Sequence, residues 1–374
     1  MAGDPSAARA AGQEGCDLAD SIGDRFDSRL CRWCIATAQL FQGDLVGAAA
    51  QFGAVSDEAE AAHDPIQRSV SLAGRGYALA YRGDASAARA AADEALEAAG
   101  ELGGTASGFG YSALATAALA AGDVATALDA TEAAGQHHSV LRELAATQCA
   151  QAALAGGDVI AARRGADDAA STATGWHLMV ALMTRARVAI AQGEPVQAER
   201  DAHDALAIAA EIEAHLVVSD TLECLATLAG DANSHREAAR LFGAAHAIRQ
   251  RIGEMRFKIW EAGYEASVAA LRDAMGEQDF DSAWVEGAGL STEEAIAYAQ
   301  RGRGERKRPT SGWGALTPTE RDVVRLVSEG LGNKDIATRL FVSPRTVQSH
   351  LTHVYTKLGL TSRVQLVQEG ARHA

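Results

Sequence analysis

A glycine followed by an acidic residue recurs through most of this chain. The pairs are Gly3-Asp4, Gly43-Asp44, Gly83-Asp84, Gly122-Asp123, Gly157-Asp158, Gly193-Glu194 and Gly230-Asp231, at steps of 40, 40, 39, 35, 36 and 37 residues. Each lies between Ala/Leu-rich stretches, as in GYALAYRGDASAARAAADEALEAAG, residues 76–100. Glycine ends a helix by taking the left-handed conformation. An acidic residue just after it caps the next helix, accepting free N–H groups at the positive end of the dipole. A unit of this length holds two helices and cannot bury its apolar face alone, so neighbours stack. After Asp84, residues Ala87, Ala91, Ala92 and Leu96 fall at helical spacing and mark the expected packed stripe. No alternating Val/Ile/Thr run bounded by turn residues suggests a strand. With only six prolines in 374 residues, an all-α chain is expected.

The Gly-Asp turn followed by a small-residue helix resembles the tetratricopeptide type of repeat, at a period somewhat above its ~34 residues. That resemblance implies an α-solenoid with a concave surface open to a partner. An irregular helical bundle with coincidental turns is the alternative. Gly3-Asp4 falls at a mid-repeat turn, which suggests the later part of a longer architecture.

Charge is divided unevenly. The formal net charge is −15, but residues 301–374 carry 13 Lys and Arg against 6 Asp and Glu, leaving 21 against 43 elsewhere. Screening at physiological salt acts over about 8 Å, so a basic end can meet a polyanion despite an acidic body. The stretch RGRGERKRPTSGWG, residues 301–314, reads as a solvated basic linker, with an arm on a phosphate backbone as the alternative.

Beyond it the helix punctuation is dense. Thr317, Pro318 and Glu320 form a capping-box start. Val323, Val324, Leu326 and Val327 make a buried stripe, and Gly330 with Gly332 ends the helix. Asn333 is placed as cap of a short helix with Ile336, Ala337, Leu340 and Phe341 inward. Ser343 and Pro344 open a third helix that Gly359 closes, and Thr361 or Ser362 opens a fourth carrying Val364, Leu366 and Val367. The second and third helices have helix-turn-helix spacing. On the third, Val347, Leu351, Val354 and Leu358 share a face. Arg345, Gln348, Ser349, Thr352, His353 and Thr356 lie beside or opposite it. Residues 336–368 contain no Asp or Glu, which an ordinary solvated helix face of an acidic chain would carry. That points to a polyanionic partner, with Lys334, Arg345, Lys357 and Arg363 spread to neutralise phosphates.

The pieces LTPTE, NKDIA, S.RTV..H and KLGL.SR, in this order over about 60 residues, resemble the LuxR-type DNA-binding domain. The resemblance implies that the third helix enters the major groove and the fourth supports a homodimer. It makes Gln348, Ser349 and Thr352 base readers, and Lys334, Arg345, Thr346 and Lys357 phosphate contacts. Many members carry lysine at the position of Gln348, a departure that shifts preference from guanine toward adenine. Repeats followed by this domain are similar to the large ATP-binding LuxR-type regulators of actinobacteria. Their P-loop is missing from this sequence, since no lysine belongs to a GK[ST] motif.

Other candidates are weaker. CRWC, Cys31 to Cys34, lacks a βαβ context for redox chemistry and a second pair for zinc, and buried helix thiols are the plainer account. His137 and His138, side by side on a helix, point about 100° apart and do not share a metal. Trp176 and His177 suit a ligand groove, with packing the plainer account. The sequence therefore reads as a tetratricopeptide-like helical repeat domain (1–300), a linker (301–314) and a LuxR-type domain (315–374). The expected role is a cytoplasmic regulator bound to duplex promoter DNA, not an enzyme, with no cofactor or metal. The solenoid would take a protein or small molecule, and no membrane segment is visible. The alternative is a repeat-based scaffold whose C-terminal helices contact protein.

Overall fold

A computed structural model of the chain describes residues 4–100, 103–137, 142–301, 312–313, 316, 318–340, 344–360 and 362–372. The side chains of 137, 318–319, 338, 344–346, 349, 353, 364 and 371–372 lie outside that description. Every element among the described residues is helical. The chain divides into two compact units, Met1–Arg301 and Gly302–Ala374.

The first unit opens with α1 (Pro5–Ile22), α2 (Arg25–Gln42), α3 (Leu45–Ala61), α4 (Pro65–Tyr81), α5 (Ala85–Ala99) and α6 (Gly104–Ala121). It continues with α7 (Val124–His137), α8 (Arg142–Ala155), α9 (Val159–Thr172), α10 (Gly175–Ala191), α11 (Pro195–Glu211), α12 (Val218–Asp231) and α13 (His235–Ile252). Then come α14 (Lys258–Met275), α15 (Glu277–Ala288) and α16 (Thr292–Arg301). From α1 to α13, each helix packs on the next, and successive even-numbered helices from α2 to α12 also touch, so the hairpins form a solenoid-like repeat body.

The expected caps are largely in place. Gly43, Gly83, Gly122, Gly157 and Gly193 have φ between 70° and 86°. Asp44, Asp84, Asp123 and Asp158 accept the N–H groups of Gly47, Ala87, Thr126 and Ala161 at 2.9–3.1 Å. Two pairs differ. Glu194 caps nothing with its side chain and instead reaches Arg163 at 2.7 Å, its extra methylene extending it past the helix start. Gly230-Asp231 stays inside α12, and Asn233, a residue that tolerates the left-handed region, makes the turn at φ 59° before α13. The sequence reading missed two turns, Gly23-Asp24 and His63-Asp64. Capping aspartates thus stand at 4, 24, 44, 64 and 84, one per helix. The stripe of α5 is also shifted: Ala88, Ala91, Ala92, Ala95 and Ala99 are buried, while Ala87 and Leu96 are half-buried.

The superhelix turns back on itself. The N–H groups of His215 and Leu216, between α11 and α12, donate to the Phe41 carbonyl at 3.0 and 3.1 Å. Residues 252–258 cross three earlier turns, with Ile252 against Gly43, Met255 against Gly83 and Lys258 against Gly122. A buried ionic network fastens this strap. Arg249 reaches Asp220 at 3.1 Å, Glu223 at 3.2 Å and Glu254 at 3.2 Å, and Arg187 and Arg256 pair with the first two carboxylates. Past the strap, α15 lies on α13 through Gly243 and Gly287. A Cβ on Gly287 would stand 1.8 Å from the Arg240 carbonyl oxygen, so only glycine permits that approach.

The second unit contains α17 (Pro318–Ser328), α18 (Asn333–Arg339), α19 (Pro344–Leu358) and α20 (Arg363–Arg372). Its core joins Val323, Val324, Leu326, Val327, Ile336, Ala337, Val347, Leu351, Val354 and Leu366, all at most 3% exposed. Leu340, Leu358 and Val367 pack at the edge as half-buried residues. Gly330 and Gly359, at φ 86° and 65°, end α17 and α19. Ser362 starts α20, its hydroxyl accepting from the Gln365 N–H at 3.3 Å. The expected caps Thr317, Ser343 and Thr361, and the apolar Phe341, lie outside the described residues.

Candidate nucleic-acid interface

The third helix of this unit, α19, is split lengthwise by its sequence. Val347, Leu351 and Val354 are at most 2% exposed, whereas Gln348, Thr352 and Thr356 are exposed at intervals of one turn. The hydroxyl of Thr352 donates to the Gln348 carbonyl at 3.0 Å, and that of Thr356 to the Thr352 carbonyl at 3.0 Å. With their hydrogens directed inward, these oxygens keep lone pairs for an external donor. Arg345, Thr346, Ser349 and His353 belong to the same helix, with their side chains outside the described set.

Asn333 does not serve as the expected cap. It is the first residue of α18, and the N–H of Ile336 goes to the Gly332 carbonyl. Its side chain bridges two helices instead. Arg363 donates to Asn333 Oδ1 at 3.0 Å, and Asn333 Nδ2 donates to Gln348 Oε1 at 3.0 Å. This orientation is forced: a guanidinium only donates, so it must face the amide oxygen, which turns the Asn333 amino group toward Gln348. Arg363 also donates to the Leu331 carbonyl at 2.5 Å. The Gln348 amino group is left pointing away from that bond.

Two of the expected phosphate contacts have intramolecular partners. Lys357 Nζ meets both carboxylate oxygens of Glu320 at 2.7 and 3.0 Å, and Glu320 is only 3% exposed. Arg363 is held by Asn333 and Leu331 as described. Both cations thus knit helices together, since a buried carboxylate or an open loop carbonyl recruits the nearest donor first. Lys334 is exposed on α18. On the outer side, Arg339 and Arg325 share Glu329 at 3.5 and 3.0 Å.

Elsewhere the weaker candidates resolve simply. Cys31 and Cys34 are free thiols on α2, half-buried and not buried as expected, because α2 turns them toward its edge rather than into the core. Burial pushes both upward in pKa, which disfavours the reactive thiolate. No cluster of three or more His, Cys, Asp or Glu residues suited to a metal occurs among the described residues, and none of their helices is long and apolar enough to cross a membrane. The His137–His138 pair lies outside the described side chains.

A short helix, Asn333–Arg339, followed closely in the chain by a longer one, Pro344–Leu358, with a polar outer face, is the arrangement of a helix-turn-helix protein. Residues 314–369 match the luxR family of bacterial regulatory proteins, and the C-terminal unit is a LuxR-family helix-turn-helix domain. Over its whole length the chain is 58% identical, across 375 residues, to HTH-type transcriptional regulators provisionally so named. These are Mb0914c of Mycobacterium bovis and Rv0890c of Mycobacterium tuberculosis, and the chain covers 42% of each. It therefore spans about two fifths of the length of these relatives. Over 79 residues, 21% of this chain and 36% of the relative, it is 37% identical to the oxygen regulatory protein NreC of Staphylococcus aureus. Among solved structures, the apo form of RapI aligns with 92% of this chain and 97% of its own at 10% identity and a TM-score of 0.43.

Proposed function

We propose that the chain is a sequence-specific, DNA-binding transcriptional regulator acting in the cytoplasm, with its helical-repeat unit serving as a sensor or protein-interaction module. One observation carries the reading. A LuxR-family domain presents an exposed helix face of Gln348, Thr352 and Thr356, in a segment, residues 336–368, without a single acidic residue. Gln348, Ser349 and Thr352 read base edges in the major groove, while Lys334, Arg345 and Thr346 contact phosphates. Lys357 and Arg363 serve first as braces for α19 and α20. Two copies paired through α20 would set two recognition helices about one helical turn apart on an inverted repeat. The Gln348 amino group, beside an oxygen already accepting from Asn333, suits an acceptor such as purine N7.

The test is selection of bound duplexes from a random pool by the full chain and by Gln348→Ala. The reading expects an enriched inverted repeat. It expects the variant to lose discrimination at one base pair per half-site, worth about 1–3 kcal/mol, while other positions keep theirs. Enrichment of no sequence by the parent chain would instead favour the scaffold alternative.

A further inference from the structure

The first unit is built on alanine, yet many of its large rings gather in one place. The returning superhelix surrounds a cavity of about 560 Å³ faced by α2, α4, α6, α8 and α10. Trp33 and Phe41 enter from α2, Tyr77 and Tyr81 from α4, Phe109 from α6 and Trp176 from α10. The rings brace one another across helices: Phe41 stacks on Trp176 at 4.2 Å and 12°, and Trp33 meets Phe109 edge-on at 6.2 Å. Below them the strap contributes Phe257, whose ring lies 5.0 Å from Tyr81. Packing alone does not account for this arrangement. Across α5–α9 buried alanines bring helices into direct contact, while here large side chains hold them around an open space. Its volume falls within the ~300–1,000 Å³ of small-molecule sites.

The lining also says which chemistry fits. It contains no Lys or Arg and one carboxylate, Glu143. His177 borders the cavity too, and burial drives its imidazole toward the neutral form. An anion would find no countercharge. Trp176 lines the space with its ring, the residue being 6% exposed. With its floor formed by the strap, the cavity suits a small molecule better than a passing peptide segment.

We propose that this cavity binds a small, largely apolar, ring-bearing molecule, neutral or cationic. The proposal concerns the first unit alone and stands apart from the DNA-binding reading. Trp176 and His177, which the sequence left between groove and core, are lining residues of this chamber.

The full chain should be titrated with Nile red, a neutral, ring-bearing dye with a carbonyl. Saturable one-to-one binding with quenching of tryptophan emission is expected. The anionic dye 8-anilinonaphthalene-1-sulfonate should not compete for that site. Thr37→Trp and Val180→Trp fill the space and should each weaken Nile red at least about tenfold, with the helical circular dichroism and melting temperature retained. Absence of saturable binding, or folded filling variants that bind like the parent, would overturn the site. Competition by the anionic dye would overturn the ligand class.

Discussion

Asn333 connects the proposed base reader to the last helix. By accepting from Arg363 and donating to Gln348, it fixes which end of each amide faces which neighbour. Asn333→Ala should lower the stability of the second unit by about 1–2 kcal/mol in denaturant unfolding, one buried-edge network losing its centre. The same variant should loosen Gln348 and reduce base discrimination more than total affinity. Another residue-scale consequence concerns Glu254. Burial raises its pKa from 4.5 to about 7, against the opposing pull of Arg249. For an acid raised on folding, the native state holds the extra proton, so this group's contribution to stability declines as pH rises from 4.5 to 7. Asp220 and Glu223, lowered chiefly by Arg249, act oppositely and lose their contribution in acid. Glu254→Gln should therefore match or exceed the parent melting temperature at pH 8, with its advantage shrinking as pH falls below 7. An advantage that grows toward pH 5 would contradict this.

At the scale of helices, the punctuation was legible because it is local. A left-handed glycine and an aspartate accepting three residues on need only a few neighbouring atoms. The heptad-like spacing of Val347, Leu351 and Val354 likewise identified the inward face of α19, and so the exposure of Gln348 and Thr352. What stayed hidden depends on distant partners. Lys357 finds Glu320 37 residues away, and Arg363 finds Asn333 30 residues away, so no local pattern could show either pairing. His63-Asp64 escaped notice because a histidine occupies the left-handed position usually given to glycine. The α13–α15 contact was equally unreadable, since Gly243 and Gly287 sit inside helices with no turn to announce them. Gly287→Ala should cost about 3 kcal/mol through overpacking against the Arg240 backbone, read as a fall in the first unit's melting temperature. An unchanged melting temperature would mean that the two helices can separate without penalty.

For the whole molecule, the uneven charge has a functional meaning once tied to its two units. A body with a large acidic excess carries a domain with a basic excess, so association with a polyanion must depend on screening and on the cations that meet phosphates. The account separates those cations from the structural ones: Arg345 is assigned to the backbone of DNA, Lys357 to Glu320. The returning solenoid adds a feature invisible in the repeat pattern, because the carbonyl of Phe41 and the N–H groups of His215 and Leu216 meet across the nine helices from α3 to α11. The most direct measurement is the affinity of the full chain for duplex DNA between about 50 and 200 mM salt. The account expects a steep linear fall of log affinity with log salt. Arg345→Ala should make that slope shallower by about one, and Lys357→Met, where the variant remains folded, should leave it unchanged. Binding that is absent or insensitive to salt would contradict the central claim.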